Sequence, residues 1–239
     1  MNGASAPAFH GPMSPTMKSF RLATALLLLF ACLPAAAIQP FVADYDASWK
    51  GVQADARITL SNAGGTRWRY ELNIGNRLGN ARQMTLFEEH NGTFRPLSGV
   101  DTVQVLFKKS RIETAYDWTR LEARWSGDVK PDRVGPVSLR AGDMDGMLLN
   151  LAIVRDVTAG RPLNYRLVDN GSARSQTYRT LGTETITVGG QARTATKVVR
   201  GDDRKQVIVW IVDGLPTPAR ILQRKDGKDE MELTLRSVR

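Results

Sequence analysis

The sequence predicts a mainly β protein, in which an antiparallel sheet of about ten to twelve strands curls into a barrel or half-barrel beside one amphipathic helix. Three observations lead to this fold class. Apolar and polar residues alternate with a period of two along most of the chain, and turn clusters such as Asn-Gly and Asp-Gly separate these runs. One segment alone has the spacing of a helix, so a sheet with a single helix follows.

The first strand is predicted at residues 41–49. Phe41, Tyr45 and Trp49 fall on one face together with two alanines, and mainly polar residues fall on the other. This alternation is typical of a strand with one buried face. A Lys-Gly pair then ends the run and starts the first turn.

The same pattern continues through most of the remaining chain. Further strands are predicted at residues 52–60, 66–74, 82–89, 93–97, 103–107, 111–118, 121–125, 183–188, 192–200, 207–212, 219–224 and 230–238. Most of their connections contain glycine, which supplies the positive φ of tight turns. The segment 207–212 is apolar almost throughout, so we expect it to be buried on both faces.

One helix is predicted over residues 143–157. Its apolar residues recur at three- and four-residue intervals: Met144, Met147, Leu148, Leu151, Ala152 and Val154. Either Asp143 or Asp145 is suited to cap its N-terminus, and Arg155 lies in the last turn, where a cation is favourable. The segment therefore forms the amphipathic helix of the fold.

The first 37 residues have the order of a secretion signal. Lys18 and Arg21 precede an apolar run, and a small-residue tail ends at Ala37. The run is shorter than the roughly 20 residues of a membrane-spanning helix. Translation is expected to start at Met13 or Met17, with the preceding residues a start-site extension. The sequence thus predicts a cleaved signal at 1–37 and a single β-rich periplasmic domain at 38–239.

A second processing site competes with cleavage after Ala37. Residues 29–32 resemble a bacterial lipobox, in which Cys32 would become a lipid-carrying N-terminus. Phe30 is bulky where such motifs have a small residue, so cleavage after Ala37 is preferred over a lipid anchor at Cys32. Because Cys32 is the sole cysteine, a disulfide framework is excluded.

The chain is basic, with 33 lysines and arginines against 24 aspartates and glutamates and a net charge of +9. For an exported protein we expect no nucleic-acid partner. Anionic lipid head groups, lipopolysaccharide or acidic glycans are the more plausible counterparts. The simpler alternative is a solvated sheet face, on which basic residues alternate with apolar ones.

The sequence contains no recognisable catalytic or metal-binding pattern. His90 is the one histidine after residue 37 and falls in a predicted turn, and no G-x-S-x-G motif is present. The Asp143 to Gly146 segment lacks the spacing and the glutamate of a calcium loop, so helix capping explains its aspartates. We therefore expect a non-enzymatic protein with no cofactor and no metal.

Aromatic residues on several strands suggest an apolar lining. If the sheet curls, the side chains best suited to line a ligand site are Tyr45, Trp49, Trp68, Phe87, Trp118 and Trp210. The alternative is an ordinary core in which these side chains fill the interior themselves.

Several segments resemble one known family. They are the opening run at 41–51, of the form F-x-A-x-Y-x-x-x-x-x-G, the segment 142–148 where aspartate precedes an apolar helix, and the region 165–238. In these segments the chain is similar to the bacterial exported proteins grouped as domain of unknown function 3108. Residues 217–219 depart from the Leu-Pro-Val-Arg-like pattern of that family. The resemblance implies a periplasmic or envelope β protein and brings no established activity.

Three functions remain open. The first is a non-enzymatic envelope protein that binds a lipid or another amphiphile in its curled sheet. The second is an envelope scaffold or interaction module that uses its basic surface or a sheet edge. The third, an enzyme acting on envelope glycan, would need two carboxylates roughly 5–10 Å apart in a cleft.

Overall fold

The structure, a computed structural model, describes residues 38–239; the predicted secretion signal and the alternative lipid site at Cys32 lie outside this range. The elements are β1 (Phe41–Trp49), β2 (Val52–Gly64), β3 (Arg67–Asn76), β4 (Gly79–His90), β5 (Thr93–Val105), β6 (Lys108–Asp117), β7 (Glu122–Gly127), β8 (Val137–Ser138), β9 (Asp143–Met144), α1 (Gly146–Thr158), β10 (Asn164–Asp169), β11 (Ser172–Thr177), β12 (Arg179–Val188), β13 (Gln191–Gly201), β14 (Lys205–Val212), β15 (Arg220–Lys225) and β16 (Lys228–Val238). The only other helical segment of residues 38–239 is a short 3₁₀ turn at Pro131–Arg133.

Thirteen strands form one antiparallel sheet in the order β12-β13-β14-β15-β16-β1-β2-β3-β4-β5-β6-β7-β8. The first strand and the last pair at its centre, with Tyr45 opposite Leu235. Because β12 and β8 are free edges of the order, the sheet is a curled half-barrel rather than a closed barrel. Strands β9, β10 and β11 form a separate small sheet. The predicted fold class is confirmed.

The structure has sixteen strands, more than the predicted ten to twelve, because four segments without a predicted strand also form strands. Strands β8 and β9 have two residues each, β10 has six residues, and β11 has a single apolar residue, Ala173, so these segments carry little or no alternation. Conversely, the separately predicted strands 93–97 and 103–107 are parts of the single strand β5, which lowers the count by one. Its proline, Pro96, lies opposite Phe87 next to a bulge in β5, where Leu97 has no partner in β4 and a residue without an amide proton is tolerated.

The main core lies between the concave face of the sheet and α1. The buried side chains of β1 are Phe41, Ala43, Tyr45 and Ala47, as its alternation predicts. Strand β14 is buried on both faces, which confirms that prediction: Val209 and Ile211 join the main core, whereas Ile208, Trp210 and Val212 join a second cluster on the other face. A third cluster joins β6 and β7 to the small sheet.

Helix α1 begins one residue after Asp145, which resolves the choice between two capping aspartates. The Asp145 carboxylate accepts a hydrogen bond of 2.8 Å from the amide of Leu148, the usual bond of an N-cap. Asp143 belongs to β9 and forms an ion pair with Arg166 instead. Within the described range no helix is long and apolar enough to span a bilayer.

Candidate functional site

An apolar cleft opens at the end of the half-barrel where β1 turns into β2, β3 into β4 and β5 into β6. Its volume is about 320 Å³, and its lining is almost wholly apolar. The floor and walls include Ala54, Ile74, Ala81, Val103, Met231 and Leu233. Strand β16 contributes the last two of these, so the cleft is built from segments far apart in the sequence.

Small residues leave the room that the cleft occupies. Ala54 on β2 and Ala81 on β4 replace the larger apolar side chains that fill the core elsewhere. Gly79 allows a further close approach, because a Cβ atom there would collide with the carbonyl oxygen of Gln104 on β5. The cleft therefore follows from a local choice of alanine and glycine.

The turns around the mouth are joined by hydrogen bonds between neighbouring hairpins. The Lys50 amide donates to the carbonyl of Glu230 at 2.8 Å, and the Leu106 amide donates to the carbonyl of Leu78 at 3.3 Å. The side-chain amide of Asn76 donates to the Gln53 carbonyl at 2.9 Å. We call the turn residues 49–52, 77–78 and 105–108 the apolar rim. These contacts hold the rim as one connected edge.

A polar cavity of about 400 Å³ lies deeper inside the half-barrel, between α1 and the sheet. Ile74, Met231 and Leu233 line both the cleft and this cavity, so the two spaces adjoin at these side chains. Asp101, Asp145 and Arg200 are among the polar groups that face the cavity. The interior of the half-barrel is thus an apolar opening backed by a polar chamber.

Two carboxyl groups of the cavity have pKa values above the ordinary value of an aspartate. Burial raises the pKa of Asp145 to about 6, and the hydrogen bonds from Leu148 and Thr85 oppose that rise. Burial also raises the pKa of Asp101 to about 6, reinforced by the negative charge of Asp169. Because both oxygens of Asp145 already accept hydrogen bonds, the structure gives this residue a clear role as a helix cap.

Of the six side chains predicted to line a ligand site, only Trp49 lines the apolar cleft. Tyr45 and Phe87 are fully buried in the main core, and Trp68 packs against that core. The Tyr45 hydroxyl group bonds to the Thr217 hydroxyl at 2.7 Å and donates to the Pro218 carbonyl at 2.8 Å. These bonds fix the loop between β14 and β15 against β1.

The remaining two tryptophans lie in different clusters. Trp118 packs beside the third cluster and donates from its indole nitrogen to the Pro96 carbonyl at 2.6 Å. Trp210 belongs to the second cluster, where the guanidinium of Arg220 lies 4.6 Å from its ring centroid. The six aromatic residues are therefore spread over three clusters and the rim.

Sequence reasoning missed most of the cleft residues. Ala54 and Ala81 carry no distinctive pattern, and their importance depends on which strands become neighbours. One signal was present: the turn between β5 and β6 consists of Leu106 and Phe107, where turns ordinarily carry polar residues or glycine. An apolar turn of this kind marks an exposed apolar surface.

No group of three or more histidine, cysteine, aspartate or glutamate side chains within 38–239 is arranged to hold a metal ion.

Comparison with known proteins gives a family and a fold. A family model described as "Protein of unknown function (DUF3108)" matches residues 44–234. A β-barrel-like protein of domain of unknown function DUF1849 from Brucella abortus is similar in structure, with a TM-score of 0.51 and 10% identity over 84% of this chain and 97% of that one. At this identity the likeness shows the fold alone. No curated protein matches the sequence.

Two further solved structures are more distant. MucB covers 86% of this chain and 54% of its own, at 10% identity and a TM-score of 0.33. The MucA/MucB complex of Pseudomonas aeruginosa covers 84% of this chain and 51% of its own, at 12% identity and a TM-score of 0.34. The chain thus spans about half the length of these two proteins.

Proposed function

Because the chain belongs to the DUF3108 family of proteins of unknown function, we propose its role from its geometry: it is a non-enzymatic protein of the bacterial cell envelope that binds the alkyl chain of a lipid or another amphiphile. The binding site is the apolar cleft. The periplasmic location rests on the secretion signal of the sequence, and the binding role rests on the cleft.

The observation that carries the proposal is an open cleft with an almost wholly apolar lining. Water held against such a lining finds few hydrogen-bond partners, so its replacement by methylene groups is favourable. The volume of about 320 Å³ falls at the lower end of the roughly 300–1,000 Å³ range of small-molecule sites. An alkyl chain fits both the shape and the chemistry of this space.

Basic residues at the mouth favour an amphiphile with an anionic head group. Lys50 and Arg77 lie in the turns that frame the cleft, next to its lining residues Trp49 and Leu78. An alkyl chain in the cleft would leave its head group near these cations, where an anion is stabilised. A fatty acid is therefore a suitable first probe.

Calorimetric titration with octanoate, decanoate and dodecanoate tests the proposal. Each buried methylene group is worth about 0.8 kcal/mol, so the dissociation constant should fall about fourfold per added carbon until the cleft is filled. Binding that does not depend on chain length would contradict an alkyl site. If none of the three fatty acids gave a heat of binding at either of two temperatures, the alkyl site would also be contradicted.

A variant that fills the cleft provides the matched test. Ala81→Phe places a ring where the alkyl chain is proposed to lie, so decanoate affinity should fall at least tenfold. The control is Ala192→Phe, which makes the same change at an exposed position of β13 outside the cleft. Equal affinity in the two variants would place decanoate binding elsewhere on the protein.

A second candidate function, an interaction module for an extended peptide, is favoured by strand β12. This strand of ten residues is an edge of the large sheet and is mostly exposed, with Leu181 projecting into solvent. Unpaired edge strands accept an added strand. A photo-crosslinking residue at position 181 should capture a partner in cells, while the same residue at the exposed turn position Asp203 should not.

A further inference from the structure

Exposed apolar side chains are concentrated at one end of the half-barrel. Ten large apolar residues of 38–239 are exposed, and seven of them lie on the rim or beside it: Trp49, Val52, Leu78, Val103, Val105, Leu106 and Phe107. The other three are scattered elsewhere: Leu121, Val134 and Leu181. A contiguous apolar patch on a surface marks a site of interaction rather than an average surface.

The turn between β5 and β6 shows that this exposure is not explained by local folding. Leu106 is 68% exposed with a φ of 51°, and Phe107 is fully exposed. Glycine or asparagine would suit this backbone better than a bulky residue. Two turns at the opposite end of the sheet do carry such residues, at Gly64-Gly65 and Asn91-Gly92. The turn between β6 and β7 at that end has an exposed leucine with a φ of 55°, Leu121, but this side chain stands alone, whereas Leu106 and Phe107 belong to a group of exposed apolar side chains. A locally unfavourable apolar residue at an exposed tip points to a function for the tip.

Each tip of the rim pairs an apolar side chain with a cation. Lys50 follows Trp49, which is 63% exposed, and Arg77 precedes Leu78, which is 60% exposed. Lys108 and Lys109 follow Phe107 in the third tip. Within residues 38–239, Arg77, Lys108 and Lys109 form no ion pair with a carboxylate, and Lys50 lies 3.9 Å from Glu230.

From this arrangement we infer that the apolar rim docks onto the surface of an anionic lipid bilayer. The side chains at the tips would enter the interface between head groups and acyl chains, where tryptophan is favoured, while the adjacent cations contact lipid phosphates. Charge complementarity selects an anionic bilayer over a second copy of this basic chain. Hydrogen bonds between the hairpins keep the three tips in one edge, so they can engage a flat surface together.

Docking would give the proposed function its source of amphiphile, and this purpose rests on the proposed function. The docking itself does not require that the cleft binds a ligand. The docked rim would place the mouth of the cleft against the bilayer, from which an amphiphile could enter. Of the residues proposed to dock, Trp49 and Leu78 also line the cleft, but Leu106, Phe107 and the lysines at 108 and 109 do not, so changes in this third tip test docking alone. The two proposals can therefore fail separately.

Vesicle binding by residues 38–239, which form a compact unit by themselves, provides the test. This segment contains no cysteine, so a polarity-sensitive dye can be attached at Gln104→Cys beside the rim or at Leu121→Cys at the far end of β6. Vesicles of equal phosphatidylglycerol and phosphatidylcholine should increase and blue-shift the emission at position 104 and leave that at 121 unchanged. Pure phosphatidylcholine should have a much smaller effect, and salt should weaken the response.

Paired variants separate docking from folding and from cleft binding. Leu106→Gly with Phe107→Ser should reduce the partition onto anionic vesicles at least tenfold, while the melting temperature stays equal or rises. Its affinity for decanoate should be unchanged. Ala81→Phe should show the reverse pattern, with vesicle binding retained and decanoate binding lost.

Three results would overturn the docking inference. One is an equal response of the dye at positions 104 and 121. Another is undiminished vesicle binding by the Leu106→Gly, Phe107→Ser variant. The third is a lipid-free dimer, detected by sedimentation and abolished by the same two changes, because the rim would then be an interface between copies of this chain.

Discussion

Two tyrosines show how single polar atoms shape the core. Tyr45 and Tyr70 are both fully buried in the main core, yet their hydroxyl groups differ. The Tyr45 hydroxyl is engaged by Thr217 and Pro218, whereas that of Tyr70 makes no hydrogen bond of normal geometry among the described residues, although Thr217 lies near it. A buried acceptor that loses its donor is costly, but removal of an unpaired hydroxyl is not.

The first prediction compares the two tyrosines by removing the hydroxyl oxygen from each. Tyr45→Phe should lower the free energy of unfolding by about 1–3 kcal/mol, since the Pro218 carbonyl and the Thr217 hydroxyl lose their partner. Tyr70→Phe, the control, should lie within about 0.5 kcal/mol of the parent or be more stable. Urea unfolding followed by tryptophan fluorescence measures both, and equal losses would contradict the assignment.

The second prediction concerns the pH dependence of stability. The pKa of Asp145 is raised from 3.8 to about 6, so the folded state binds a proton more tightly than the unfolded state between these pH values. Stability should therefore fall as pH rises from about 4 to about 6, by at most roughly 3 kcal/mol from this group. Asp101 acts in the same direction.

Replacement of Asp145 by asparagine tests this assignment. An asparagine side-chain oxygen still accepts from the Leu148 amide, so the helix cap is kept while the buried charge is removed. Asp145→Asn should flatten the decline between pH 4 and pH 6, as measured by urea unfolding at several pH values. Asp203→Asn, at an exposed side chain, controls for the loss of one charge. A profile as steep as that of the parent would be evidence against the buried carboxylate as its source.

At the scale of elements, α1 and the hairpins have different relations to the sheet. Helix α1 supplies apolar side chains to the main core, and Leu148 and Ile153 are fully buried there. The hairpins instead contribute their strands to the core and leave their tips free. Truncation of buried side chains in α1 should therefore lower the free energy of unfolding. Substitutions at the apolar rim should instead affect vesicle binding.

The third prediction tests the role of α1 in the core. Leu148→Ala should cost about 2–5 kcal/mol, the usual range when a buried leucine leaves a cavity. Asn150→Ala on the same helix is the control, because that side chain is half-buried and makes only a 3.4 Å bond to the Gly146 carbonyl. Chemical denaturation compares them. Similar small losses in both would show that the helix is not part of the cooperative core.

The elements differ in how far the sequence could predict them. The strand β1 and the helix α1 carry regular apolar periods, and they were predicted within a few residues. Strand β11, with the sequence Ser-Ala-Arg-Ser-Gln-Thr, has no period and forms through its ladder with β10. The cleft was not predictable beyond Trp49, because its alanines become a site only when β2, β4 and β16 come together.

At the scale of the whole molecule, the open strand order determines which strands of the sheet lose their hydrogen bonds most readily. Strands β1 and β16 have neighbours on both sides, while β12 and β8 each have one. Hydrogen bonds at a free edge are exposed to solvent and open with little loss of packing. The centre of the sheet should therefore be the last part to open.

The fourth prediction follows from this order. Hydrogen–deuterium exchange should be slowest in β1 and β16 and clearly faster in β12, with β8 also fast. Mass spectrometry of peptides from the two regions under native conditions measures the difference. Protection of β12 equal to that of β1 would indicate that the sheet closes into a barrel.

The pairing of β1 with β16 has a consequence for the order in which the protein can be made. A ribosome releases Phe41 long before Val238, so β1 emerges with only β2 available as a neighbour. Its second ladder forms only after nearly the whole chain has been synthesised, because Tyr45 pairs with Leu235. Contacts of such sequence separation form slowly. A nascent chain of this design lacks one ladder of its central strand until its last strand is delivered, which would suit the export that we propose for this protein.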